Sequence, residues 1–90
     1  MKSPFFIYFN MFYVYILFSE TKSKYYVGQT ADIDDRLNRH NSGYSLSTKS
    51  GIPWQLITSF TFNTRSEALL LEKKIKKRGT KRYLEDIKFF

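Results

Sequence analysis

Three features of this 90-residue chain predict an α/β fold of the α+β type, a small three-stranded antiparallel sheet flanked by helices in the order β-β-α-β-α-α. The first is a run of aromatic and β-branched residues, Phe12 to Phe18, followed after a short polar turn by a second such run, Tyr25 to Thr30. The second is a pair of segments with apolar residues at helical spacing, each preceded by a residue that caps helices well. The third is an alternating stretch, Trp54 to Phe62, that separates those helices. A chain of this length makes one domain and buries roughly 60–65% of the surface its unfolded form exposes. Its 42% hydrophobic and 26% charged residues argue against disorder.

Phe12 to Phe18 is apolar on both faces, with Tyr13, Tyr15 and Leu17 on one and Phe12, Val14, Ile16 and Phe18 on the other. It reads as a strand buried on two sides. Ser19 to Lys24 (SETKSK) is a turn of hairpin length, so Tyr25 to Thr30 (YYVGQT) pairs antiparallel with the first strand. On this second strand Tyr26, Gly28 and Thr30 share a face, and Gly28 leaves a gap beside Tyr26 for a backbone or a ligand. Asp32 caps a helix whose first turn holds Asp34 and Asp35, where the helix dipole favours negative charge. Gly43 is placed to stop that helix near Asn41-Ser42. Residues 43–53 form a polar loop with two glycines and a proline. Trp54 to Phe62 is the third strand, with Leu56, Thr58, Phe60 and Phe62 on one face. Asn63 or Thr64 caps a second helix, Arg65 to about Arg78; Gly79 breaks it, and a short basic helix runs on toward Phe90.

Composition excludes several chemistries. With no cysteine there is no disulfide, thiolate nucleophile or Cys-held zinc, and a single histidine excludes a His-rich metal site. Any metal is held mainly by oxygen, which favours a hard cation such as Mg²⁺ or Mn²⁺. Residues 4–18 are almost wholly apolar, but Asn10 interrupts them and they fall short of the ~20 residues of a spanning helix. No small-x-small cleavage site follows. The expectation is a cytoplasmic protein without a membrane partner. Residues 1–10 read as an N-terminal extension to a domain at 11–90, and both Met1 and Met11 remain candidate starts. The net charge is +7, and residues 64–90 hold nine Lys/Arg against four Asp/Glu, a net +5. Such a chain concentrates polyanions around it, although a charge run also serves solubility alone.

The helices place polar residues where apolar ones belong. In the first, Ile33 and Leu37 set the inward face, and Arg36 and His40 border it one turn apart. In the second, Glu72 projects between Ala68 and Leu69, inside the apolar arc that includes Leu71 and Ile75. A carboxylate there is costly unless it is paired, hydrogen-bonded or bound to a cation. Each residue has an ordinary explanation: Arg36 pairing with Asp32 or Asp35, His40 at a helix end, Glu72 reaching a lysine. Their conjunction in one small basic protein favours a site.

Tyr13-Val14-Tyr15, with Tyr26-Val27-Gly28 beginning eleven positions after Tyr15, resembles the paired motif of the GIY-YIG nuclease family. The resemblance continues through Arg36, His40, Gly43, Thr48, Pro53-Trp54 and the Ser66-Glu67-Ala68 to Glu72-Lys73 stretch. It covers residues 12 to about 78 and is nearest to the small stand-alone members that are little more than the catalytic domain. It implies the GIY-YIG fold. It implies that Tyr15 and Tyr26 line an active site, one of them near the attacking water. It further implies that Arg36 contacts the scissile phosphate, that His40 assists proton transfer and that Glu72 is the single protein ligand of a divalent metal. Two positions depart from the family pattern. Tyr13 stands where the motif usually has glycine, and Gly79 to Phe90 contains no asparagine to match the one that helps hold phosphate in some members.

The function expected is a metal-dependent endonuclease that hydrolyses phosphodiester bonds in DNA with low sequence specificity, or selectively for DNA structure, as in repair or recombination. Its cofactor would be one Mg²⁺ or Mn²⁺. A tyrosine general base has a reference pKa of ~10 and needs nearby cations to lower it; Arg36, the metal and a protonated His40 are the candidates. Which tyrosine is the base, or whether His40 takes the proton, stays open. A lone small domain has no separate sequence-reading module, so affinity comes mainly from phosphate contacts, with a protein partner for targeting as the alternative. The candidate contacts are Lys73, Lys74, Lys76, Lys77, Arg78, Lys81 and Arg82. Two other readings compete: a nucleic-acid-binding module of the same fold with weak or no activity, and a basic adaptor or membrane-surface protein.

Overall fold

In the computed structural model the described residues are 11–90; the expected extension, residues 1–10, lies outside them. Strands β1 (Phe12–Ser19) and β2 (Lys24–Thr30) form the hairpin, and α1 (Ile33–Asn41), β3 (Trp54–Phe62), α2 (Arg65–Arg78) and α3 (Thr80–Asp86) follow. The order is β-β-α-β-α-α, as expected. The polar loop before β3 also contains one short 3₁₀ turn, Lys49–Gly51, which the sequence did not signal.

The sheet order is β2-β1-β3, all antiparallel. A central strand has a neighbour on each edge and a layer on each face, which is why β1 is apolar throughout. On one face Val14 and Ile16, with Val27, pack against Ala68 and Ile75 of α2 and Leu84 of α3. On the other, Tyr15 and Leu17 pack with Trp54, Tyr26, Ile52 and Leu37 of α1. The sheet thus separates a two-helix layer from a layer formed by α1 and the loop before β3.

The expected face of β3 needs one correction. Ile16 lies opposite Thr58 but Leu17 lies opposite Leu56, so the register shifts at Ile57. An extra residue on one strand reverses the alternation beyond it. Ile57 therefore joins Phe60 and Phe62 against the two-helix core, while Leu56 falls on the opposite face from Phe60.

The helix ends follow local chemistry. The Asp32 carboxylate accepts from the Asp35 N–H at 3.0 Å. Thr64, not Asn63, is the cap of α2, and it forms a reciprocal capping box with Glu67. Gly79 takes a φ of 93° and its N–H donates to the Ile75 carbonyl at 2.8 Å, so the chain turns directly into α3. Among the described residues no helix is long and apolar enough to cross a membrane.

Candidate active site

The face of the sheet covered by α1 carries a buried polar chain. Tyr15 is 1% exposed, His40 3% and Thr48 2%. The Tyr15 hydroxyl lies 3.0 Å from His40 Nε2, and His40 Nδ1 lies 2.9 Å from the Thr48 hydroxyl. Thr48 Oγ1 also donates to the Ser45 carbonyl at 3.4 Å. A carbonyl can only accept, so the single hydroxyl proton of Thr48 is committed to Ser45. Thr48 then accepts from His40 Nδ1–H, and in a neutral imidazole Nε2 is the acceptor to which the Tyr15 hydroxyl donates. A neutral His40 with its proton on Nδ1 satisfies every bond of this network.

The electrostatics agree. Burial, reinforced by Arg36, holds the His40 pKa below its ordinary value. Burial, with Tyr26 next, raises the Tyr15 phenol above its ordinary value, against the opposing pull of Arg36. Of the three cations expected to lower a tyrosine, Arg36 acts on Tyr15 without prevailing, and His40 is held toward its neutral form. For Tyr15 the loss of water outweighs the one guanidinium, and His40 is kept neutral.

Gly28 is also corrected. It lies opposite Tyr15 in the β1–β2 register, and the Tyr15 ring fills the space its missing side chain leaves. The gap serves the neighbouring strand's phenol and not an approach to Tyr26.

Tyr26 stacks obliquely on His40, with ring centroids 4.7 Å apart, and stands 6.2 Å from Tyr15. With Arg36, Arg39, His40, Tyr44 and Ser45 it lines an open cleft of ≈190 Å³. Neither ordinary partner holds Arg36. Asp35 pairs instead with Arg39 at 3.2 Å, and Asp32 is engaged as the helix cap. The Arg36 Nε–H is buried with no hydrogen-bond partner among the described residues. A buried, unpaired guanidinium N–H is costly and is the expected mark of a site that receives an anion.

Glu72 comes from α2. Its side chain is only 15% exposed and forms an ion pair with Lys76 Nζ at 2.7 Å. Its charge is one of the lesser influences that raise the Tyr15 phenol, after burial and Tyr26. Among the described residues no group of three or more His, Asp or Glu side chains gathers to form a cage for a metal. A divalent cation of the Mg²⁺ type needs only one or two carboxylates, with water and substrate phosphate completing its oxygen shell. Glu72 fits that demand.

Four of the five expected site residues, Tyr15, Tyr26, Arg36 and His40, are thus brought together on the α1 face of the sheet, while Glu72 stands on α2 and contacts Lys76. The basic candidates Lys73, Lys74, Lys76, Lys77, Arg78, Lys81 and Arg82 lie on α2 and α3. Two are already engaged: Lys76 with Glu72, and Arg78 with Asp86 through contacts of 2.7 and 3.0 Å. A separate cleft of ≈460 Å³, lined by Lys74, Lys77, Arg78, Tyr83 and Asp86, contains none of the five. Sequence reasoning gave no role to Thr48, although it noted the residue. Nor did it see that Asn41 clamps the start of β3, donating to the Trp54 carbonyl at 2.9 Å and accepting from its N–H at 2.6 Å. Trp54 Nε1 in turn donates to the Thr48 carbonyl at 2.7 Å, which fixes the loop that holds His40. The signal available was a polar Asn, Thr and Trp flanking a loop, which spacing alone does not connect.

The three-stranded sheet thus sets two tyrosines beside an arginine and a histidine of α1, with a glutamate on α2. The family model described as the GIY-YIG catalytic domain matches residues 11–84, and the chain belongs to the GIY-YIG family. It is similar in particular to UPF0213 proteins. The UPF0213 protein YsiG of Lactococcus lactis is 36% identical over 64 residues, covering 70% of this chain and 61% of the relative; the match spans less than two thirds of that protein's length. The UPF0213 protein SAG0778 of Streptococcus agalactiae is 34% identical over 77 residues, covering 84% of this chain and 86% of the relative. The solution NMR structure of the UPF0213 protein BH0048 from Bacillus halodurans superposes with a TM-score of 0.53 at 32% identity, covering 87% of this chain and 85% of that one.

Proposed function

We propose that this protein is a metal-dependent endonuclease that hydrolyses phosphodiester bonds in DNA, with low sequence specificity, acting in the cytoplasm in repair or recombination. The observation that carries the reading is Arg36, its Nε–H without a partner among the described residues and its side chain lining a cleft beside the Tyr15–His40–Thr48 chain. Arg36 binds the scissile phosphate through its planar fork. A single Mg²⁺ or Mn²⁺ on Glu72 would supply Lewis-acid stabilisation of the charge that builds on the phosphate oxygens. Tyr15, whose phenol stays protonated at neutral pH, acts by exchange: its oxygen accepts a proton from the attacking water as its own proton passes to His40 Nε2. Thr48 and Ser45 hold His40 in the tautomer that leaves Nε2 free for that proton. Tyr26 forms the wall of the cleft and orients the water.

The Glu72–Lys76 ion pair favours a second reading, a binding module of the same fold in which a lysine takes the place of the cation. Lys76 is 56% exposed, so solvent screens its end of the pair and the lysine can yield its place to a divalent cation. The test is a cleavage screen over single-stranded, duplex and branched DNA and over RNA, with and without Mg²⁺ or Mn²⁺. Cation-dependent strand cleavage, abolished by Glu72→Gln, supports the enzyme. Tight binding with no cleavage of any substrate leaves the binding module.

A further inference from the structure

Two clefts flank Tyr26. One is the Arg36 cleft already described. The other, ≈250 Å³, is lined by Lys22, Lys24, Ser47, Ser50, Thr48 and Trp54 among others, with Tyr26 as the shared wall. Thr48 also links the two, because its hydroxyl holds His40. Lys22 lies in the β1–β2 turn and Lys24 opens β2, on either side of Ser23. Neither is in an ion pair among the described residues, whereas Lys76 and Arg78 of the basic C-terminal end are both neutralised by carboxylates. No acidic side chain lines either cleft beside Tyr26, while Asp86 lines the cleft of the lysine-rich α2 and α3. The sheet's Val14–Ile16 face is covered by those two helices; Tyr15 and the Arg36 cleft belong to the other face.

From this juxtaposition we infer that the Lys22–Lys24 cleft is a phosphate subsite. It takes the backbone phosphate adjacent to the scissile one, so that the substrate strand crosses Tyr26 from the Arg36 cleft. The two ammonium groups neutralise the phosphodiester charge, and the Ser47 and Ser50 hydroxyls donate to its oxygens. The inference rests on the nuclease reading of the Arg36 cleft and adds the path of the strand. It moves the principal binding surface from the C-terminal lysines, where sequence charge is densest, to the turn between β1 and β2.

The test is anisotropy titration of a fluorescein-labelled DNA duplex in metal-free buffer over a range of salt, with cleavage followed separately in Mg²⁺. The variant Lys22→Ala/Lys24→Ala removes two contacts, so the slope of log K against log salt becomes shallower by about 1.8. The variant Lys77→Ala/Lys81→Ala removes the same charge and changes the slope by less than half as much. Lys22→Arg/Lys24→Arg keeps the native slope, which separates lost contacts from lost folding. Equal or larger loss from the Lys77/Lys81 change, or no loss from Lys22/Lys24, overturns the subsite. If the native protein still binds and cleaves, the nuclease reading survives that result; if it neither binds at low salt nor cleaves, both readings fall.

Discussion

A Cβ built on Gly28 would stand 2.6 Å from the Tyr15 hydroxyl and 2.8 Å from the ring carbon that carries it. Real side chains do not approach so closely, and the ring is enclosed, so Gly28→Ala must displace it. The expected cost is about 1–3 kcal/mol in a denaturant melt, with loss of the Tyr15–His40 hydrogen bond and of cleavage. Arg36 is demanding in a different way. Lysine keeps the charge but has no planar fork and no Nε–H, so Arg36→Lys should cleave as poorly as Arg36→Ala. Near-native cleavage by the lysine variant would reduce Arg36 to a general source of positive field. His40 gives a pH signature. Its folded pKa lies below the ordinary ~6.5 of the unfolded chain, because of burial first and Arg36 second. The unfolded state therefore takes up the proton first as pH falls, so this contribution is complete above pH ~6.5 and shrinks below it. Melting temperatures of the native protein should drop more steeply than those of His40→Asn between about pH 7 and pH 5. Parallel curves for the two proteins would mean that His40 is not held neutral.

Each element delivers its residue for a local reason. α1 places Arg36 and His40 one turn apart on its inward stripe because Asp32 caps its start and Ile33 and Leu37 turn that stripe to the sheet. Helix α2 does the same for Glu72. Ala68 and Ile75 are fully buried on its apolar face, and Glu72 lies one turn beyond Ala68 at the edge of that face. Glu72→Gln keeps the side chain's size and removes the charge. Loss of the pair with Lys76 should cost less than about 1 kcal/mol, since the lysine end is solvated. Melts without metal should thus barely move, cleavage should disappear, and DNA binding should persist because no basic side chain is lost. A Glu72→Gln protein that is strongly destabilised yet still cleaves would mark the carboxylate as structural. The β3 strand shows what an element's sequence conceals: no residue type near Ile57 announces the register shift that sends Leu56 to the opposite face from Phe60.

For the molecule as a whole, charge and shape have different distributions. The net +7 predicts binding to a polyanion, and contact with about four phosphates gives a slope of log K against log salt near −3.6 on duplex DNA. A slope near zero would exclude a nucleic-acid role for the basic surface. The densest charge lies on α2 and α3, in the layer that covers the Val14–Ile16 face of the sheet. The open cleft with the unpaired arginine belongs to the other layer, beside Tyr26 and α1. Charge density along the chain therefore marks the class of ligand, and the layers decide where that ligand sits.

The sequence by itself determined the order and nearly the bounds of every strand and helix, because alternation, helical spacing and capping residues act over a few neighbours. It also determined which helix residues face inward, and so singled out Arg36, His40 and Glu72, and the family motif added Tyr15 and Tyr26. Only the tertiary structure decided what those residues are to one another. The Tyr15–His40 contact joins positions 25 apart in the chain, and the Thr48 hydroxyl reaches His40 from a loop with no periodic signal. Burial then opposes the lowering expected from cations: the Tyr15 phenol is raised despite Arg36, beside an imidazole whose pKa is lowered. Desolvation depends on what surrounds a group in three dimensions, and no spacing along the chain encodes it.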